Sequence, residues 1–305
     1  MNSLLLGKRG GIRWRDQIAG MLFAAPFIIG FLVFVVYPFF ASLYYSFTDF
    51  ALLSNPKWLG LQNYQGLLHD TIFLKALSNN GFMVFIGLPI YLVWALFVAL
   101  LLNQRLRGQS WFRSLYFLPA VMPSVAASYV WLSVLNPRTG IGYFLSLVGV
   151  TPPLWFSDPN WAKPGLILFW LWTVGFDTVI FLAALQGVPE DLHESAELDG
   201  AGSFRKAFSI DLPLISPAIL FVTVTSVIWA IGYFTQAYII SGALGDAVQG
   251  GRQSSMLFLS MYLYTSAFTY LRMGYASALA WVIFLINAIM TFFMLRLSRN
   301  RVFYS

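Results

Sequence analysis

The segment PEDLHESAELDGAGSFRKAFSIDLP, residues 189–213, is a charged island between two apolar runs, and its reading decides the fold. Six of the chain's twelve acidic residues stand in it, from Glu190 to Asp211. Pro189 suits the start of a helix, where its missing N–H would be unpaired in any case, and Glu190 and Asp191 follow where carboxylates favour the positive helix end. Gly200 and Gly202 are expected to end that helix, because glycine accepts left-handed backbone, and Ser203 to cap a second short turn through Phe204 to Phe208. The small residues Ser195, Ala196 and Ala201 would let another surface approach the backbone, while Glu194 and Glu197 offer charge to Arg or Lys partners. On physics alone two readings stay open: a docking element, or a solvated connection whose charges keep it out of lipid.

What flanks the island is membrane-like. Of 305 residues, 59% are hydrophobic and 10% charged, against about 25% charged in an ordinary soluble domain. The apolar residues come in runs long enough to cross a hydrocarbon core of ~30 Å. Spans are expected near residues 18–43, 77–102, 114–135, 163–186, 212–234 and 273–295, with the acidic connection at 187–211. If the N-terminus is cytoplasmic, twelve of the eighteen Lys and Arg fall on the inner side: Lys8, Arg9, Arg13, Arg15, Arg105, Arg107, Arg113, Arg205, Lys206, Arg296, Arg299 and Arg301. That bias puts a basic N-terminus (1–17), the acidic connection and a tail (297–305) in the cytosol, around a transmembrane domain at 18–296. The first apolar run exceeds a signal-peptide core and has no small-residue cleavage site after it, so it reads as an uncleaved anchor. Tyr44 to Ala76 and Asn136 to Ala162 read as ordered outer loops. Met256 to Phe268 is apolar and aromatic but short; it reads as an interfacial helix, with a seventh crossing as the alternative.

The letters of the island add a resemblance. Glu194-Ser195-Ala196, three residues, Gly200, nine residues, Ile210, one residue and Leu212-Pro213 resemble the EAA loop of binding-protein-dependent ABC permeases, with Ser for the first Ala. Weaker likenesses to the sugar branch of that family, the maltose and glycerol-phosphate type, run from Pro26 to Leu295. They include Gly60-Leu61-x-Asn63-Tyr64, Arg113-x3-Phe117-Leu118-Pro119, Leu182-Ala183-Ala184-Leu185-Gln186, Tyr264-x2-Ala267-Phe268 and Gly274-Tyr275-Ala276-Ser277-Ala278. After the fifth span the chain departs from the family's Thr-x-Gly-Gly-Pro, carrying Ser241-Gly242-Ala243-Leu244. The resemblance implies an all-α integral membrane protein with the type I importer fold, of about six spans, in the cell membrane of a prokaryote. It implies that Glu194, Ser195, Ala196, Asp199, Gly200, Ile210, Leu212 and Pro213 belong to a cytoplasmic coupling helix and its exit. Implied partners are a second, homologous permease, two copies of an ATPase that binds ATP and Mg, an extracytoplasmic solute-binding protein, the lipid membrane and a sugar or related polyol. No cofactor is implied for the chain itself.

Candidate path residues come from their chemistry. Asp177 stands about nine residues from the inner end of the fourth span, where an ionisable group is costly unless it faces water or a partner; the alternative is a structural carboxylate bonded to hydroxyls such as Thr173. Thr225, Trp229, Tyr233 and Gln236 recur at helical spacing on the fifth span, a stripe that suits a sugar's C–H faces and hydroxyls and equally suits helix packing. Asn287, in the sixth span, can line the path or bond across helices. No phosphate-cradling loop exists, since Gly7-Lys8 lacks its partners, and His193-Glu194 lacks the second histidine of a zinc-protease pattern because Glu197 holds that place. Catalytic and metal centres are therefore not expected, nor is nucleic-acid binding. The rival functions are an ion-coupled secondary transporter of a small polar solute and, less well supported, a membrane enzyme.

Overall fold

A computed structural model describes residues 14–52, 54–104 and 108–299. Lys8, Arg9, Arg13, Arg105, Arg107 and Arg301 lie outside the described residues, as do the ends of the basic N-terminus and the tail, and of Arg15 only the backbone is described. Among the described residues four helices are long and apolar enough to cross a membrane, Gly20–Ser46, Thr71–Leu102, Ser216–Ala243 and Met273–Ser298; two bent pairs bring the number up to six.

Proline explains much of the irregularity inside these helices. A proline lacks the N–H that would bond the carbonyl four residues back, and a wide π turn absorbs the freed group. Such turns at Leu32–Val36, Met83–Gly87 and Ala207–Asp211 each end two residues before a proline: Pro38, Pro89 and Pro213.

Several expected boundaries move. The second long helix begins at Thr71 rather than residue 77, because the Asp70 carboxylate caps it, accepting from the Ile72 N–H at 2.8 Å and the Phe73 N–H at 3.3 Å. The expected continuous third span is Gln109–Val121 and Ser124–Val134 bent by 105°, with Pro119 and Pro123 about the corner. The fourth is Pro159–Trp172 and Gly175–Gln186 bent by 47°. The fifth starts at Ser216 rather than residue 212 and, after a break at Gly232, runs to Ala243 rather than 234. Its extension is held inside the protein, where Ala237, Ile240 and Ser241 are buried. Within Met256 to Phe268, Leu259–Tyr264 and the π turn Thr265–Thr269 form one short rod, with Met256, Leu257, Phe258, Leu259 and Met261 buried in the protein's own core rather than lying along its surface.

The outer-loop motif finds its reason here. The Asn63 amide donates to the Ser46 and Thr48 carbonyls at 2.9 and 2.8 Å, and the Tyr64 hydroxyl donates to Ser46 Oγ at 2.8 Å, so the loop closes the end of the first long helix. Gly274 lets the sixth start against the same loop; a Cβ there would lie 2.1 Å from the Thr48 carbonyl oxygen. The main core joins the second, fourth and fifth spans to the 256–262 segment around Trp170, Phe169 and Tyr233.

Candidate functional site

A cavity of about 440 Å³ opens where the irregular helices meet. Met122 and Ser124 flank the corner of the third span, Thr173 and Asp177 flank the bend of the fourth, and Trp229 and Gln236 flank the break in the fifth. At membrane depth, broken backbone is tolerated only where protein or a water-filled cavity satisfies the freed groups. Three of the breaks thus border one cavity.

Four of the six expected path residues line it: Asp177, Thr225, Trp229 and Gln236. Tyr233 does not; it is 2% exposed and sits edge-on between Trp170, Trp229 and Phe258, so this member of the stripe is packing. Asn287 does not either: its amide donates to the Ile283 carbonyl of its own helix at 3.1 Å.

Asp177 is held from three helices. The break after Trp172 starts a new helix at Gly175, and Asp177 stands in its first turn, where the exposed N–H groups favour a carboxylate. Gly175 is needed for this placement, because a Cβ would lie 2.9 Å from both the Ala120 Cβ and the Tyr116 carbonyl oxygen. The Tyr91 hydroxyl of the second span donates to Asp177 Oδ2 at 2.8 Å, and the Ser226 hydroxyl of the fifth donates to the same oxygen at 3.3 Å. The expected Thr173 partner is not used; its hydroxyl donates to the Phe169 and Trp170 carbonyls. Tyr91 and Ser226 carried no sequence signal beyond being polar in apolar runs.

The acidic island folds as a helix, Glu190–Leu198, ending in a left-handed glycine: Gly200 has φ +76°, its N–H donates to the Glu197 carbonyl at 2.9 Å, and the Ala201 N–H reaches Ala196 at 2.8 Å. This pair of bonds is the Schellman closure, which uses up carbonyls a helix end leaves unpaired. Gly202, not Ser203, takes the cap position of the next turn, Ser203–Lys206, and no side-chain bond caps it. Two ties brace the unit. Lys206 Nζ is 2.5 Å from Glu197 Oε1, and this bond and charge hold the Glu197 carboxyl below its ordinary value. His193 Nε2 is 3.1 Å from Asp211 Oδ1, a contact to the foot of the fifth span; burial pushes the Asp211 carboxyl up and His193 opposes that shift. Glu197 is thus spent internally, whereas Glu194, Leu198, Phe204 and Phe208 stand exposed, the two rings stacked at 5.2 Å.

Structures the sequence did not announce pin the far end. Asn80, 2% exposed, donates to the Ala230 and Ile231 carbonyls, both at 3.1 Å, and accepts from the Leu259 N–H at 2.8 Å. Asn79 donates to the Ser254 and Leu257 carbonyls and accepts from Lys163. Asp70 accepts from the Tyr262 and Tyr275 hydroxyls.

Comparison with known proteins fits this architecture. The family model described as "Binding-protein-dependent transport system inner membrane component" matches residues 71–302. The chain is similar to the "Probable ABC transporter permease protein YesP" of Bacillus subtilis, 38% identical over 95% of this chain and 93% of the other. It is also similar to the "Lactose transport system permease protein LacF" of Rhizobium radiobacter, 32% identical over 96% and 98%. In fold it is similar to a chain of a bacterial ABC transporter that imports the acidic polysaccharide alginate, with TM-score 0.75, 23% identity, and 94% and 98% of the two chains covered. The chain belongs to the binding-protein-dependent transport system inner membrane components, the permease subunits of ABC importers, and has their type I fold.

Proposed function

We propose that this permease forms half of the translocation path of an ATP-driven importer for a sugar or related polyol. The observation that carries the reading is the polar and aromatic cavity at the helix breaks. Trp229 offers a half-exposed ring face to sugar C–H groups, while Asp177 and the Gln236 amide offer hydrogen bonds to hydroxyls. The lactose assignment of one relative supports the sugar class.

In this reading the second half of the path is a homologous permease, and an extracytoplasmic binding protein delivers the solute. Two cytosolic ATPase subunits hold ATP and Mg and grip the helix Glu190–Leu198 through Glu194 and its exposed small and apolar neighbours. The helix is too short to flex, and the His193–Asp211 and Lys206–Glu197 ties join it to the foot of the fifth span. Movement of the ATPase is passed through Ile210, Leu212 and Pro213 to Thr225, Ser226 and Trp229 on the cavity. Both termini and this helix are then cytoplasmic.

The test is sugar uptake into vesicles that hold the full assembly. ATP-dependent uptake is expected to fail in Gly200→Asp and Glu194→Lys while membrane insertion stays normal. Unchanged ATP-driven uptake in both variants would sink the coupling assignment, and uptake driven by a proton or Na⁺ gradient without ATP would replace it with secondary transport.

A further inference from the structure

The cavity carries a second message, about charge. Among its described lining residues Asp177 is the charged side chain, and no Lys or Arg is present. Its two oxygens are not equivalent. Oδ2 takes both protein donors, the Tyr91 and Ser226 hydroxyls, whereas Oδ1 has no partner among the described residues and is not shut off from solvent. Two donors on Oδ2 restrain the carboxylate and leave Oδ1 as its open acceptor towards the path.

We infer that this permease passes neutral or amino-bearing saccharides and excludes acidic ones, and that Asp177 Oδ1 is the discriminating atom. The inference rests on the proposed sugar path and adds the class of sugar. An open acceptor takes a hydroxyl or an ammonium. It gives a uronate or sulfonate no proton to share, and like charges brought together in a site of reduced polarity repel at a cost of several kcal/mol. Thr225 does not soften this, because its hydroxyl already donates to the Phe221 and Val222 carbonyls at 2.9 and 3.0 Å, leaving it an acceptor as well. Trp229 and Gln236 have no described hydrogen bond that would turn them away from a sugar. Tyr91 and Ser226 are positioning residues.

The assay is equilibrium binding to the permease complex purified with its ATPase, without the binding protein, so that receptor selectivity does not enter. The probes are maltose, chitosan disaccharide and digalacturonate. In the wild type the neutral and amino disaccharides should bind at least about tenfold more tightly than the acidic one, a ratio that costs only ~1.4 kcal/mol. Asp177→Asn should bring maltose and digalacturonate to within about threefold and weaken the amino sugar, while Asp177→Glu should keep the exclusion. Should the Asn variant fail to assemble, salt reads the same effect: screening should strengthen digalacturonate binding to the wild type and leave maltose unmoved. An acidic disaccharide that binds as well as the neutral one, a ratio unchanged by Asp177→Asn, or no salt effect would overturn the inference while leaving the sugar path standing. No binding by any of the three saccharides would overturn the sugar path and this inference with it.

Discussion

Replacing Asn80 by Leu should be among the most damaging single changes outside the cavity, because that amide serves two helix ends at once. It caps the C-terminal carbonyls of Ser216–Ile231, at Ala230 and Ile231, and the first free N–H of Leu259–Tyr264. Leucine fills a similar volume but orphans three backbone groups at a site 2% exposed. Each orphaned buried group costs about 1–3 kcal/mol; allowing for a water that rescues one carbonyl, the loss comes to about 2–6 kcal/mol. Asn287→Leu supplies the contrast, since that amide donates only within its own helix and its Oδ1 is buried with no partner. Removing an already unsatisfied polar atom should be neutral or stabilising within ~1 kcal/mol. Unfolding of both variants in mixed micelles, followed by near-ultraviolet circular dichroism, measures the difference. An Asn80→Leu protein within ~1 kcal/mol of wild type would refute the capping account.

Gly175→Ala should cost about 1–3 kcal/mol by overpacking the contact with Ala120 and Tyr116, and should weaken sugar binding by tilting Asp177; normal stability and affinity would show that the helices part freely. Gly200→Ala should cost ~1 kcal/mol of local stability, seen as faster hydrogen exchange at the amides of Gly200 and Ala201, because a Cβ disfavours φ +76°. Asp70 gives a pH signature. Burial would raise its carboxyl, but bonds from Tyr262, Tyr275 and the Ile72 and Phe73 N–H groups outweigh it and hold the group below 3.8. Its contribution to stability is therefore present above the unfolded value and lost as pH falls through the depressed one. An unfolding series from neutral to strongly acid pH should be flatter at its acid end in Asp70→Asn than in the wild type, and two parallel curves would argue against the cap.

The helical membrane class and the glycine-ended acidic helix were legible because each rests on local rules: run length for the first, proline, acid and glycine order for the second. Long-range partnership was not. Nothing near Asn80 points to Ile231 or Leu259, far along the chain, and nothing near Asp177 chooses Tyr91 over Thr173. Tyr233 shows the limit of a stripe argument, since helical spacing put it with Trp229 and Gln236, yet the break at Gly232 turned its ring into the core. The buried rod at Leu259–Tyr264 misled for a related reason: an apolar run of that length looks the same whether lipid or protein covers it.

Polarity alone was also the wrong guide to the cavity; polarity beside a break works better. Tyr91 follows Pro89, Ser124 follows Pro123, Asp177 follows Gly175 and Gln236 follows Gly232, each within four residues, and all four line the cavity. Asn287 is as polar and as deep in an apolar run, but its helix, Met273–Ser298, is unbroken around it, and it lies off the cavity. The physical link is solvation. A proline or glycine break frees backbone groups that hydrocarbon cannot satisfy, so breaks gather where water or other protein can reach them, and a side chain next to the break shares that environment. Thr225 and Ser226 are the exceptions, reaching the cavity from the unbroken turn before Trp229 rather than from a break of their own. Moving the break should then move the polarity: filling Gly232 with a helix-favouring alanine should turn Gln236 out of the cavity, and a Gln236 that stayed accessible to polar reagents in that variant would count against the rule.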